Sequence, residues 1–319
     1  MRYAIRRFLL AIPLVLSATF VVFGMLKLIK GDPAEVILGT AYTEESAARL
    51  TKEFGLDRPF IVQYLKWIWN LLHGDLGYSY GTSESVNSIV ARAFPVTVQL
   101  VILTMLITLS VSIPLGVYSA YRVGGIFDRI VTSTGFAFIA MPGFLVGLLI
   151  LKFISIPLEW PSGQYIPLSE SGGNPFTSWK YLVLPAMSLS AGLIANYLRT
   201  LRTDMVTTLQ EDFISLAKTK GLSDQRILWR HALRPSSITL TTVAGINFGT
   251  LIGGTLIAEQ LFGLPGFGQL LFARILRRDY LVVLAVVSVI TVAFVLLTTI
   301  VDILYGVIDP RVRHARALS

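Results

Sequence analysis

Residues Ser215 to Pro235, SLAKTKGLSDQRILWRHALRP, carry Lys218, Lys220, Arg226, Arg230 and Arg234 between two long apolar stretches. Residue types of this kind are suited to gripping a partner rather than to making bonds. Phe213, Leu216, Ala217 and Gly221 fall on one helix face by three-and-four spacing. Gly221 can take the left-handed conformation that ends a helix. Ser223 then reads as the N-cap of a second helix, with Asp224 in the first turn, where the helix dipole favours an anion. Ile227, Trp229 and Leu233 supply apolar contacts, and Pro235 marks the end. The spacing predicts two short helices meeting at a glycine corner, a shape that fits a groove on a partner. The bland alternative is a solvated basic loop.

A second constellation follows in SSITLTTVAGINFGTLIGGTLIAEQ. Gly245, Gly249 and Gly253 recur every four residues, a spacing that lets helix backbones approach closely. Asn247, Thr250 and Thr255 place polar groups at membrane depth. They serve either as glue between helices or as the border of a polar pathway. Glu259 falls where this apolar run should meet the outside, as the rim of a gate or, slightly favoured, as an interfacial charge.

Other chemistries lack their residues. No stretch fits GxxxxGK[ST], so the chain is not expected to cradle ATP phosphates. GLPGFG at 263–268 does not fit GxGxxG, and no HExxH occurs. There is no cysteine, and His73, His231 and His314 are far apart, so no metal ligand set is expected. The apolar runs hold few ionisable groups: Asp302 near one inner end, Lys27 and Lys152 near outer ends. A proton-driven carrier usually needs more.

These residues must be held by something, and composition says what. Of 319 residues, 54% are hydrophobic and only 14% charged. Soluble domains run near 25% charged. The net charge of +8 is spread between apolar runs, which argues against nucleic acid and for membrane lipid. Six stretches, roughly 8–28, 96–119, 130–156, 181–199, 237–258 and 281–306, are each long enough to cross a bilayer as a helix. The first exceeds a secretory h-region and reads as a retained span. Pro13, Pro114, Pro142 and Pro185 lie inside these runs, where membrane helices tolerate them.

Orientation follows from Lys and Arg. With the N-terminus inside, the inner segments hold Arg2, Arg6, Arg7, Arg122, Arg129, Arg199, Arg202, the basic segment, and Arg311, Arg313 and Arg316. The short outer loops hold Lys180, Arg274, Arg277 and Arg278, the last two a local exception. Both termini are therefore expected in the cytoplasm. The long outer segment 30–94 contains two helical patterns. TEESAARLTKEFGL has Thr43 as N-cap and Gly55 as stop. PFIVQYLKWIWNLLHG, Pro59 to Gly74, is short for a span and lies on the outer membrane surface or packs on the chain. PLEWPSGQYIPLSESGGNPFTSW reads as loop.

Ser215, Leu216 and Ala217, with Gly221, Ile227 and Leu233-Arg234-Pro235, resemble the EAA loop of ABC importer permeases. Ser215 and Leu216 replace the usual Glu and Ala, and Arg234 stands between Leu233 and Pro235. GDPA at 31–34, FGLDRP at 54–59, QYLKW at 63–67, GDLGYS at 74–79, FPVTVQL at 94–100, IPLGV at 113–117, FGLPGFGQLL at 262–271, RDY at 278–280 and DPRVR at 309–313 are similar to the B-type subunit of dipeptide and oligopeptide permeases. Nickel importer permeases share much of this pattern.

The resemblance implies an all-α membrane protein with six transmembrane helices in the type I ABC importer permease (MetI-like) fold. It implies one permease domain over 1–319, an extracytoplasmic loop over 30–94 and a cytoplasmic coupling loop over 199–236. This chain would be non-catalytic and would form half of a translocation pathway with a homologous C-type permease. Two cytoplasmic ABC ATPases would bind ATP and Mg, and an extracytoplasmic binding protein would deliver a peptide. The setting would be the cytoplasmic (inner) membrane of a bacterium or archaeon. ATPase docking would fall to Ser215, Leu216, Ala217, Lys218, Gly221, Leu222, Arg226, Ile227, Arg230 and His231. The alternatives are a nickel or other small-solute importer permease and, from other classes, a stand-alone channel or carrier, or a scaffold.

Overall fold

The computed structural model describes residues 2–28, 38, 42–55, 57–79, 81–161, 163, 165–167, 170 and 175–308. GDPA at 31–34, DPRVR at 309–313, His314 and the tail arginines Arg311, Arg313 and Arg316 lie outside them, as do the side chains of Lys27, Asp302, Arg2, Arg6 and Arg7. The described residues are helical, with one isolated antiparallel bridge between Tyr78 and Ser85.

The expected spans all fall on helices, though their ends and shapes differ. The first is α1, Arg2–Leu28. Two helices of the outer segment follow, α2 (Glu44–Phe54) and α3 (Phe60–Leu72). The second span is α4, Val86–Tyr121, which begins ten residues before the apolar run. The third is not one straight helix. It is α5 (Ile126–Ala140) and α6 (Gly143–Ile150), the latter continuing as a π-turn over Leu151–Ser155. The two halves meet at 105°. Met141 there is extended and Pro142 follows, as the steric restriction on a residue before proline requires. Pro13 and Pro185 sit within unbroken helices.

The fourth span, α7 (Pro175–Thr208), outruns its apolar stretch at both ends. The basic segment holds α8 (Asp212–Thr219) and α9 (Asp224–Arg226), which leads through a π-turn over Ile227–Ala232 into α10 (Leu233–Gly254). The fifth span therefore starts within the basic segment, and bends by 50° before α11 (Leu256–Phe262). Then come α12 (Phe267–Leu276) and α13 (Tyr280–Ile308). Among the described residues, three helices are long and apolar enough to cross a membrane unaided, or five if each bent pair is one span. In α1 the shorter apolar stretch Ile12–Met25 is described.

The chain forms two compact units. One comprises residues 1–97 and 265–295. Its core joins Val86, Ile89, Val90 and Ala93 of α4 to Phe267 of α12 and Val282, Ala285 and Val286 of α13. That packing explains the early start of α4: the extra turns bury a face against protein. A second cluster seats α3 on α1 and α13 through Phe23, Tyr64, Trp67, Tyr280 and Leu284. The Tyr64 hydroxyl donates to the Leu16 carbonyl at 2.8 Å, and the ring stands edge-on to Phe20 and Phe23. So α3 packs on the chain, while Ile61, Leu65, Trp69 and Leu72 on its other side are exposed. In α2 the Thr43 hydroxyl accepts from the Ser46 N–H, the Ser46 hydroxyl returns to Thr43, and Gly55 closes the helix at φ 66°. Thr43 and Gly55 thus act as the spacing indicated.

The other unit comprises residues 98–264 and 296–319. In it α7 is packed against α5, α6, α10 and α11. The tightest approach is at Gly147 of α6. A Cβ there would lie 2.6 Å from Leu261 Cδ2 and 2.9 Å from Ser188 Oγ.

Candidate functional site: the basic segment and the fifth span

The corner of the basic segment is a complete Schellman motif. The Gly221 N–H donates to the Lys218 carbonyl at 2.9 Å, and the Leu222 N–H to the Ala217 carbonyl at 3.3 Å. Gly221 has φ +75°, and a Cβ there would meet nothing within 4 Å. The site therefore demands a backbone conformation and not a small side chain.

Beyond the corner, Ser223 is extended and its carbonyl accepts from the Ile227 N–H at 3.0 Å. Ser223 is thus the N-cap read from the sequence, but its side chain forms no cap bond and it caps by backbone position alone. The expected end at Pro235 is corrected. Pro235 lies inside the first turn of α10, and the helix runs through it. The π-turn immediately before it widens the spiral where a proline ring would crowd the carbonyl four residues earlier.

Burial divides the residues expected to dock. Ala217 and Ile227, with Ile214, Leu228 and Ala232, are buried within this chain and hold the segment in place. Ser215, Leu216, Lys218, Gly221, Arg226 and Arg230 are exposed, and Leu222 and His231 half-exposed. Phe213, Leu216 and Trp229 add apolar surface at 46%, 56% and 40% exposure, so a partner would meet oil as well as charge. Ser236 Oγ donates to Thr208 Oγ1 at 2.8 Å, tying α10 back to the end of α7.

Two features escaped the sequence reading. Tyr121, last residue of α4, donates its hydroxyl to Asp224 Oδ2 at 2.7 Å. Behind this bond lies a small groove of about 230 Å³ between Tyr121, Val206, Leu209, Lys218, Asp224 and Ile227. Asp128 of α5 is buried at 4% exposure. Arg202 of α7 donates to it twice, Nε to Oδ1 at 2.6 Å and Nη2 to Oδ2 at 2.8 Å. Ser119 Oγ of α4 donates at 2.5 Å and the Gly124 N–H at 2.8 Å. The available signal was a single carboxylate in the otherwise basic connection Arg122–Arg129, which counting cations for orientation passes over.

In the fifth span, Gly245 and Gly249 are buried, but Gly253 is exposed. Asn247 is half-buried, and its side chain lies near the hydroxyl of the buried Tyr197. Thr250 is exposed and its hydroxyl donates to the Asn247 carbonyl at 3.0 Å, within its own helix. Thr255 and Glu259 flank the 50° bend, and both are buried. Thr255 Oγ1 donates to Glu259 Oε1 at 2.9 Å. Glu259, at 0% exposure, is thus not an interfacial charge: the bend folds α11 back into protein. The polar residues are not brought to one surface. Among the described residues, no cluster of three or more His, Cys, Asp or Glu is placed to hold a metal.

A groove of about 850 Å³ lies between α4, α5, α6 and α7 and is lined by Ile107, Ile130, Phe138, Phe153, Met187 and Ile194. Its lining is almost wholly apolar, so a peptide backbone there would lose its water partners without replacement.

The arrangement is that of a multi-helix membrane component, and comparison with known proteins agrees. Residues 112–314 match the family of binding-protein-dependent transport system inner membrane components, and residues 1–101 match the N-terminal region of such membrane components. The chain is 38% identical over 311 residues to a putative peptide transport system permease of Brucella abortus, covering 97% of this chain and 98% of that one. It is 34% identical over 314 residues to the oligopeptide permease AppB of Bacillus subtilis, covering 98% and 99%. It is 32% identical over 338 residues to the dipeptide permease DppB of Escherichia coli, covering 99% and 100%. The fold resembles an inward-facing structure of the MetNI methionine ABC transporter, with TM-score 0.55 and 16% identity over 69% of this chain and 96% of that one. The chain belongs to the family of membrane components of binding-protein-dependent transport systems. It is an all-helical permease subunit of an ABC importer and does not itself hydrolyse ATP.

Proposed function

We propose that this chain is the B-type permease of an ATP-driven importer of di- and oligopeptides. The supporting observation is agreement along nearly the full chain with three permeases named for peptides. Those names favour peptide over nickel, and competition between labelled dipeptide and nickel for uptake separates the two.

In this reading the chain lies in the cytoplasmic membrane with both termini inside and the loop 30–94 outside. A homologous C-type permease completes the pathway. Two cytoplasmic ATPases bind ATP and Mg, and an extracytoplasmic binding protein delivers the peptide. The exposed face of Ser215, Leu216, Lys218, Gly221, Arg226 and Arg230, with Leu222 and His231 at its edge, sits in an ATPase cleft. Ala217 and Ile227 hold that face from behind. Closure of the ATPases on ATP moves the segment, and the spans rock between inward-open and outward-open.

Mild-detergent purification of the tagged chain, with mass spectrometry of its partners and an ATPase assay, tests the reading. A second permease, P-loop ATPases and hydrolysis stimulated by peptide-loaded binding protein are expected. A crosslinked chain that remains alone and without hydrolysis would favour the channel or carrier instead.

A further inference from the structure

The docking segment touches the spans through polar contacts that its docking role does not need. Asp224 lies just past the Gly221 corner and accepts from Tyr121 at 2.7 Å. Two residues earlier on the same helix, Ser119 donates to Asp128 at 2.5 Å. Asp128 in turn accepts from Nε and Nη2 of Arg202, near the end of the helix that leads into the segment. The Gly124 N–H adds a further donor from the connection between α4 and α5. One buried carboxylate thereby gathers α4, α5 and α7, and Tyr121 ties that gathered end to the segment.

A planar guanidinium forked onto a carboxylate fixes orientation as well as distance. A buried polar network with every member satisfied is rigid. Helices joined by it move together, whereas helices joined by apolar contacts alone can slide. The Tyr121 bond differs, since its ring is 44% exposed. An exposed hydrogen bond adds little to stability. Its effect is on where the segment sits relative to the end of α4.

We propose that Tyr121 and Asp128 are positioning residues for energy coupling: they make α4, α5 and α7 follow the docking segment when the ATPases move it. The proposal rests on the importer reading above. Without them the segment still docks and the ATPases still close, but the spans follow incompletely. The consequence is ATP spent without transport.

The test uses the whole complex in proteoliposomes with its binding protein and labelled dipeptide. The quantity read is ATP hydrolysed per peptide imported. Tyr121→Phe removes one hydroxyl at a partly exposed position. Asp128→Asn keeps the shape and removes the charge. Each variant is expected to raise the ratio about fivefold or more, the size of a typical coupling between sites, with the ATPases still copurifying. A purely structural role lowers hydrolysis and uptake together and leaves the ratio at the wild-type value. An unchanged ratio in either variant overturns the assignment of that residue, and in both overturns the proposal. Failure of the importer reading is distinct: it appears in the wild-type complex, as peptide uptake that needs no ATP or hydrolysis that ignores the binding protein.

Discussion

At the corner of the basic segment, Gly221 is held at φ +75° with open space where a side chain would stand. A β-branched residue there is strained by about 1–2 kcal/mol or more, while Asn visits that region readily. Gly221→Val is expected to abolish transport and loosen the ATPases while the chain still inserts. Gly221→Asn is expected to keep most uptake. Equal loss in both variants, measured by uptake and copurification, would mean the site needs the absence of a side chain instead. Thr255 makes a second residue-scale case. Thr255→Val removes a buried donor to the Glu259 carboxylate, at a cost of about 1–3 kcal/mol. The thermal midpoint of the purified complex should fall, and an unchanged midpoint would show that the bond contributes nothing. The glycine was legible from spacing alone, because a helix stop followed by a capping position leaves a local mark. The burial of Glu259 was not. Its position at the end of an apolar run implies an interface, and only the bend of the chain carries it inward. Asp128 was hidden for a related reason: its donors come from residues 119, 124 and 202, and a buried ion pair between distant helices has no short-range pattern.

Helices were legible as elements, and their ends were not. An apolar run marks the stretch that hydrocarbon or protein core covers. It does not mark the turns that continue beyond it. Thus α4 starts at Val86 because Val86, Ile89 and Val90 are buried against α12 and α13, and α7 runs on to Thr208 where Ser236 meets it. The 105° break at Met141–Pro142 shows the same limit. Proline lies inside α1 and α7 without a break, so its presence alone does not announce one. What accompanies the break is close packing at Gly147, five residues on. Gly147→Val would place new atoms against Leu261 and Ser188, where a Cβ alone would already lie 2.6 Å and 2.9 Å from them. Overpacking of this kind costs about 1–3 kcal/mol. The variant should lower the thermal midpoint of the complex and the yield of folded chain, and a normal yield and midpoint would show that α6, α7 and α11 can separate. Of the two alternatives for the aromatic helix α3, packing on the chain is the one its contacts show. Tyr64 and Trp67 are buried on α1 and α13, and Trp69 and Leu72 are exposed at 64% and 75%.

For the molecule as a whole, the class of protein was readable because a bilayer imposes long apolar runs and a bias of cations, both of which survive in sequence. A pathway leaves no such mark. Half of a channel need not line up its polar groups within one chain, and here Asn247, Thr250, Thr255 and Glu259 are divided between an intrahelical bond, a contact with Tyr197 and a buried pair. Gly253 and much of the basic segment are exposed in this chain, which suits a subunit of an assembly. The most direct measurement is labelled-dipeptide uptake into proteoliposomes that contain this chain, its second permease and the ATPases, with binding protein on the outer side. Accumulation that requires ATP, requires the binding protein and disappears in Gly221→Val is the predicted result. Uptake that proceeds equally well without the ATPases would contradict the account.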